Sequence, residues 1–157
     1  MQDAGIRDHL ARALSWEEAR VNFAKAVAGV PADKRGARPP GFEHSIWQLV
    51  EHIRLAQNDI LDFCVNPAYE HTMKWPDDYW PSAEPQGAKV WDESLAAYAR
   101  DLEALTRLAR ETPDLTALVP TGKGAQTYLR AILLVLDHTS YHVGQLLEVR
   151  RALGIWP

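Results

Sequence analysis

The chain contains very little cysteine: Cys64 is the only one among 157 residues. A lone cysteine cannot form an internal disulfide, and this usage is typical of a reducing compartment. Apolar runs are also short, since the longest, Ala131 to Leu136, falls far below the ~20 residues that span a bilayer. The first residues, Met1 to Gly5, include neither the basic stretch nor the apolar core of a signal peptide. These absences predict a cytoplasmic protein with no membrane partner.

Neither sign of charge dominates the sequence. With 17 basic and 21 acidic residues the net charge is −4, and the two signs are interspersed. This excludes the basic footprint of a nucleic-acid-binding protein, so no nucleic-acid partner is expected.

Several catalytic motifs are missing as well. The chain has no G-x-S-x-G elbow, no Walker loop and no G-x-G-x-x-G, and Thr139 stands where H-E-x-x-H needs glutamate. Ferritin-type sites need Glu-x-x-His pairs, and none lies on the relevant helix faces. Cys64 has no basic neighbour, which predicts a buried, unreactive thiol.

What the sequence does contain is apolar residues at helical spacing, without strand-like alternation. Four such segments, separated by loops with proline and glycine, predict an all-α four-helix bundle that forms a single domain over residues 1–157. Ser45 followed by Gln48 predicts a capping box at the start of the second helix. The predicted helices run from about Asp3 to Ala28, from Ser45 to just before Asn66, from about Ala88 to Arg110, and from about Ala125 to Ala152.

A long connection joins the second and third predicted helices. It contains four prolines and the large aromatics Trp75, Tyr79 and Trp80. Aromatics of this size predict packing onto the body of the protein rather than free movement. Such a connection is long enough to cross the bundle, so a simple up-down-up-down order is not assumed.

Two histidines, His138 and His142, stand four residues apart in the last predicted helix. This spacing puts both imidazoles on one helix face, within reach of a single metal ion. The same face carries apolar residues, so we expect it to be buried, where an unpaired imidazole would lose its water without compensation. The apolar members of this face are Ala131, Leu134, Val135, Tyr141, Leu146, Val149 and Leu153.

A third histidine, His52, lies in the middle of the second predicted helix. Three neutral imidazoles leave at least one position open on a tetrahedral or octahedral ion, which is the pattern of a catalytic site. The alternative is that all three are core histidines satisfied by hydrogen bonds to neighbouring helices. Neutral imidazoles suit zinc, nickel, copper and iron alike, so the residues alone do not identify a divalent metal.

The other histidines are weaker candidates. His44 precedes the second helix and is predicted to have a structural role, while His9 and His71 show no ligand pattern. Asp137 points about 100° away from His138 round the helix. It either accepts a hydrogen bond from a metal-ligating side chain of another helix and so orients it, or is an ordinary surface carboxylate. Weak candidates for lining a pocket are Trp47, Gln48 and Gln145.

Two segments, His44 to Arg54 and Asp137 to Leu146, resemble the DinB/YfiT-like superfamily, and the resemblance covers almost the whole chain. That superfamily consists of four-helix bundles in which three histidines hold a metal. His52 matches the family's histidine on the second helix, and His138 and His142 match its pair on the fourth. The resemblance implies zinc or nickel as the metal, a homodimer, and a small-molecule substrate. Some relatives are S-transferases or isomerases that use a low-molecular-weight thiol such as bacillithiol or mycothiol, and many have no assigned activity.

The resulting hypothesis is a divalent-metal-binding enzyme with His52, His138 and His142 as ligands. The reaction would be a thiol-dependent S-transfer, or another metal-assisted nucleophilic transfer or hydrolysis on a small molecule. Tyr141 is a candidate catalytic hydrogen-bond donor, and packing is an equal alternative for it. The competing hypotheses are a non-catalytic metal-binding or stress-associated bundle and a structural dimerisation module that binds no metal.

Overall fold

The computed structural model describes residues 2–87 and 89–156, with side chains from residue 4 onward. Its regular structure is helical, and no strand forms among these residues, which confirms the predicted all-α bundle. Two short 3-10 turns cover Ala32–Lys34 and Asp77–Tyr79. The helices are α1 (Gln2–Ala13), α2 (Phe23–Val27), α3 (Ile46–Val65), α4 (Val90–Glu111) and α5 (Tyr128–Ala152).

Helix α3 begins where the capping signal predicts. The Ser45 side chain accepts a hydrogen bond from the Gln48 backbone, and the Gln48 side chain accepts one from the Ser45 backbone. This reciprocal pair satisfies two of the amide groups that a helix start leaves without partners. The helix ends at Val65, just before Asn66 and Pro67, as predicted.

The prediction of one continuous first helix from Asp3 to Ala28 is wrong. α1 ends at Ala13, and its last carbonyl accepts a hydrogen bond from the Arg20 guanidinium. A new N-terminus then forms at Asn22, whose side chain accepts from the Lys25 backbone and donates to the Ser15 carbonyl. These side-chain hydrogen bonds compete with the helical ones, so the chain turns and restarts as α2.

Helix α5 starts later than the predicted Ala125. The Val119 amide donates to the Gln126 carbonyl, and Leu118 and Thr127 form an isolated antiparallel bridge. This pairing keeps residues 126–127 extended, and Thr127 then caps α5 by accepting from the Arg130 backbone. The helix closes before Gly154, whose φ of +70° is the left-handed geometry typical of a helix end. Ala88, the predicted start of the third helix, lies outside the described residues; α4 begins at Val90.

Helices α3 and α4 run in the same direction. Ser94 of α4 bonds to Glu51 of α3, and further along both helices Asn58 bonds to Asp101. Two consecutive helices can be parallel only if the chain between them returns along the bundle, and residues 66–89, called the connection below, do so. The order of the bundle is therefore not up-down-up-down.

The remaining long helices are antiparallel to this pair. In the first half of α1, Asp8 contacts Arg110 near the end of α4 and Arg7 donates to the Pro113 carbonyl just beyond it, while the later Ala11 lies in one apolar cluster with Leu105. α5 packs antiparallel on α3, so that the middle of one helix lies opposite the middle of the other. Among the described residues, no helix combines the length and the apolarity that crossing a membrane requires.

Candidate metal centre

The three predicted ligands meet between α3 and α5. Because these helices are antiparallel, His52 faces the His138–His142 pair, and the ligand atoms of all three lie within 4.8 Å of one another. The Nε2 atom of His52 lies 3.1 Å from that of His142 and 3.0 Å from that of His138. We call these three residues the histidine cluster. His52 of α3 and His142 of α5 are buried, at 1% and 8% exposed, and His138 is half-buried, so the cluster reaches the surface at His138.

The rings of His52 and His142 are oriented by hydrogen bonds from Nδ1, the ring nitrogen that faces away from the centre of the cluster. His52 Nδ1 lies 3.0 Å from the Tyr79 carbonyl oxygen, and His142 Nδ1 lies 2.7 Å from Gln145 Oε1. Both oxygens only accept, so each Nδ1 carries the proton and donates it. The neutral forms of both rings therefore present an Nε2 lone pair to the centre of the cluster. This is the arrangement typical of histidine ligands to metals.

Burial keeps the cluster neutral. The pKa of His52 is lowered to about 4, mainly by desolvation; the Tyr79 hydrogen bond opposes this shift, and the neighbouring His142 and His44 add to it. Desolvation also lowers the pKa of His138 to about 4, with His142 and His52 adding to the effect. The pKa of His142 is lowered too, again mainly by burial. At neutral pH the imidazoles are thus in the state that binds a metal ion.

The hydrogen-bonding groups of the cluster are better satisfied with a bound cation than without one. In the neutral tautomers fixed by Tyr79 and Gln145, the Nε2 atoms of His52 and His142 are both acceptors, and two facing acceptors cannot bond to each other. A divalent ion coordinated by the lone pairs removes this conflict, and imidazole nitrogen is a preferred donor for transition metals. The residues present therefore fit a metal ion.

Trp80 of the connection fixes the His52 ring from its face. The two rings stack with centroids 3.8 Å apart and planes 3° from parallel. On the other face of the same indole lies His44, at 3.6 Å and 8°. His52 is thus held by a face-to-face contact and by the hydrogen bond to Tyr79, both supplied by the connection.

Tyr79 and Asp59 in turn fasten the connection to α3. The Tyr79 hydroxyl donates to one carboxylate oxygen of Asp59 and the Tyr69 hydroxyl donates to the other. His71 Nε2 lies 3.2 Å from the Tyr79 hydroxyl oxygen. Tyr79 and Trp80 pack onto the body as predicted, whereas Trp75 is 66% exposed.

Tyr141 lies at the edge of the cluster, mostly exposed. Its ring packs edge-on against His142, with centroids 4.8 Å apart, and its hydroxyl oxygen accepts from the Gln145 amide. Gln145 therefore touches both a cluster ring and Tyr141, which places it closer to the site than its weak sequence signal indicates.

The other candidates lie away from the cluster. Trp47 is buried in the core near Trp91, and Gln48 belongs to the helix cap and bonds to the Pro81 carbonyl, so neither lines a pocket at the cluster. Asp137 is exposed, and His9 bonds to the Gly5 carbonyl of its own helix. Cys64 is buried, which raises the pKa of its thiol to about 11 and agrees with an unreactive side chain.

Two parts of the site escape sequence reasoning. The Tyr79 carbonyl is a backbone group, and a backbone acceptor has no residue type to reveal it. Trp80 is noticeable in the sequence as a large aromatic residue, but its stacking on His52 depends on the path of the connection over α3. Gln145 was named from the sequence only as a weak candidate for lining a pocket; its role as an acceptor for His142 could also have been predicted, because an amide three residues after a helical ligand lies within reach of its ring.

Comparison with known proteins agrees with the geometry. The family model of the DinB superfamily matches residues 15–146, which include all three histidines of the cluster. Searches of the curated proteins and of the solved structures give no match. On the strength of the family match, the chain belongs to the DinB superfamily.

Proposed function

We propose that the protein is a metal-dependent enzyme in which His52, His138 and His142 hold one divalent transition metal, zinc or nickel. The observation that carries this proposal is the convergence of three Nε2 atoms, two of them on rings whose other nitrogen is already bonded. A structural core would not need this orientation, because one protonated Nε2 facing an acceptor would satisfy a pair of histidines.

The proposed reaction is a nucleophilic attack on a small molecule by a thiol or by water. When bound, a divalent ion supplies Lewis acidity, which lowers the pKa of a coordinated thiol or water. The protein's own groups keep the site in place: Tyr79 and Trp80 hold His52, and Gln145 holds His142. Three protein ligands leave room for a further one, as catalytic sites require.

Tyr141 is proposed as a hydrogen-bond donor to the substrate. Gln145 donates to its hydroxyl oxygen, which leaves the Tyr141 hydroxyl proton free to point outward. The ring is 64% exposed and contacts His142 directly, so a molecule near the cluster can reach it. A Tyr141→Phe variant is expected to lower turnover without changing the metal content.

The first test is metal content, measured by plasma mass spectrometry on protein purified without an affinity tag. About one equivalent of a transition metal is expected in the wild type, and none in His142→Ala. His9→Ala is the matched control, because His9 lies on α1 and bonds only within its own helix. Wild-type protein that stays metal-free after reconstitution would contradict the proposal.

A second test separates an enzyme from a non-catalytic metal-binding bundle. The metal-loaded protein is assayed for thiol transfer with low-molecular-weight thiols and for hydrolysis, beside metal-free His142→Ala. Turnover that depends on the metal supports the enzyme, whereas bound metal without turnover favours the bundle. The homodimer and the cytoplasmic location remain predictions from the resemblance and the sequence.

A further inference from the structure

A cavity of about 820 Å³ lies beside the histidine cluster, and the proposed metal chemistry makes no use of it. Its volume falls within the roughly 300–1,000 Å³ of sites that bind small molecules. Four segments form its walls: α3, the connection, the loop 112–127 that precedes α5, and α5 itself. A pocket with walls from four segments holds a ligand from several sides.

The cavity adjoins the cluster along α5. Leu134, which lines it, precedes His138 by one helical turn, and Arg130, which also lines it, precedes His138 by two. The eight residues from Arg130 to His138 correspond to about 12 Å along the helix axis. His71, on another wall, contacts the hydroxyl of Tyr79, whose carbonyl binds His52. The part of the cavity at Leu134 therefore lies one helical turn from His138.

The loop wall and the α5 wall each carry one cation that has no anionic partner in the described part of the chain. Lys123 and Arg130 are both exposed and line the cavity, and neither forms an ion pair within the described part of the chain. A charged group held beside a cavity without a counter-ion favours an anionic ligand, since charge-assisted hydrogen bonds are among the strongest.

The acidic groups of the cavity lie on the walls formed by α3 and the connection. Asp59 has both carboxylate oxygens engaged by the hydroxyls of Tyr69 and Tyr79, which stabilises its charge within the protein. Glu70 is exposed at the edge, next to His71. Because these carboxylates repel an anion, we expect it to bind beside Lys123 and Arg130.

The loop that carries Lys123 is anchored. The Thr121 hydroxyl donates to the Phe63 carbonyl of α3 at 2.6 Å. At Gly122 an added Cβ would lie 2.9 Å from Gln126 Oε1 and 3.1 Å from the Val119 carbonyl oxygen, so the loop backbone packs closely here. The backbone that carries Lys123 is thus held against α3 before a ligand arrives, which lowers the entropic cost of ordering the loop on binding.

We propose that this cavity binds the acidic end of the small molecule on which the metal centre acts, a carboxylate or a phosphate, through Lys123 and Arg130. The inference rests on the proposed function, because it assigns a substrate class to the same site. The rest of the molecule would lie over Leu134, toward the histidine cluster. The substrate class is therefore a small organic acid or phosphate ester.

Titrations of ¹⁵N-labelled protein with succinate and with inorganic phosphate test this inference, with sodium chloride at matched ionic strength as the reference. The reporters are the amides of Gly122 and Gly124, beside Lys123. Saturable shifts are expected with at least one of the two anions, and the one that binds identifies the acidic group. The double variant Lys123→Gln, Arg130→Gln is expected to weaken that binding about tenfold or more.

Arg100→Gln is the matched control, because Arg100 is an exposed cation on α4, outside this cavity. Equal weakening in the control, or no saturable shift with either anion, would overturn the inference. The titration is repeated with metal-free His142→Ala to separate the two proposals. If the metal-free variant still binds the anion, the cavity binds it without the metal. A wild type that binds the anion but no metal would then contradict the proposed metal function and leave the anion site standing.

Discussion

Two helix interfaces of this bundle use opposite kinds of side chain. Between α1 and α4 the contact is apolar, with Ala11, Leu105 and Ala109 almost fully buried. Between α3 and α5 the middle layer is the histidine cluster, with His52 and His142 buried and His138 half-buried. The apolar layer gains free energy simply by leaving water. The histidine layer gains it only if each nitrogen has a partner, so its stability is tied to a ligand.

The largest expected difference between the two layers is the response to zinc. Zinc at 1,000 times its dissociation constant is expected to raise the free energy of unfolding of the wild type by about 4 kcal/mol. His52→Ala removes one of three ligands and should abolish this gain. Urea denaturation with and without zinc measures it. An equal zinc effect in His52→Ala would show that the ion binds elsewhere.

Acid is expected to weaken the histidine layer of the metal-free protein. The pKa of His138 and that of His52 are about 4 in the folded state, against about 6.5 in an unfolded chain. The unfolded state therefore takes up protons first, and the free energy of unfolding falls as the pH drops from 6.5 to 4.

A matched variant isolates this effect from the carboxylates, which also titrate in acid. His138→Leu removes one of the histidine protons involved, so in this window its slope should be shallower than that of the wild type by about 1.4 kcal/mol per pH unit. Denaturation curves at several pH values, recorded with chelator, measure the difference. Parallel slopes would mean that His138 is not kept neutral by burial.

The apolar layer should respond to truncation and ignore the metal. Leu105 is 0% exposed between α1 and α4, and Leu105→Ala is expected to cost about 2–5 kcal/mol through lost burial and a cavity. The gain from zinc should stay at its wild-type size, because Leu105 lies outside the histidine cluster. A reduced zinc effect in this variant would show that the two layers are coupled.

The apolar layers were predictable from sequence because helical spacing determines which side chains face inward. The same spacing predicted the His138–His142 pair, and the start of α3 followed from Ser45 and Gln48. The break after Ala13 was not predicted, since apolar residues recur on both sides of the interruption between Leu14 and Val21, and the hydrogen bonds of Asn22 and Arg20 that compete with the helix leave no pattern in the sequence. Contacts between residues far apart in the sequence could not be predicted in this way, because their separation along the chain follows no regular spacing.

Gln145→Ala is expected to have the smallest of these effects. It removes the acceptor of the His142 Nδ1 proton, so His142 is free to rotate or to change tautomer, and metal affinity should fall roughly 10–100-fold. Gln145→Glu is the control, because a carboxylate still accepts that proton. Competition with a chelating dye measures both affinities. If Gln145→Glu loses as much affinity as Gln145→Ala, the orienting hydrogen bond is not what Gln145 contributes. If both match the wild type, packing against Trp80 and Tyr141 is sufficient to orient the ring.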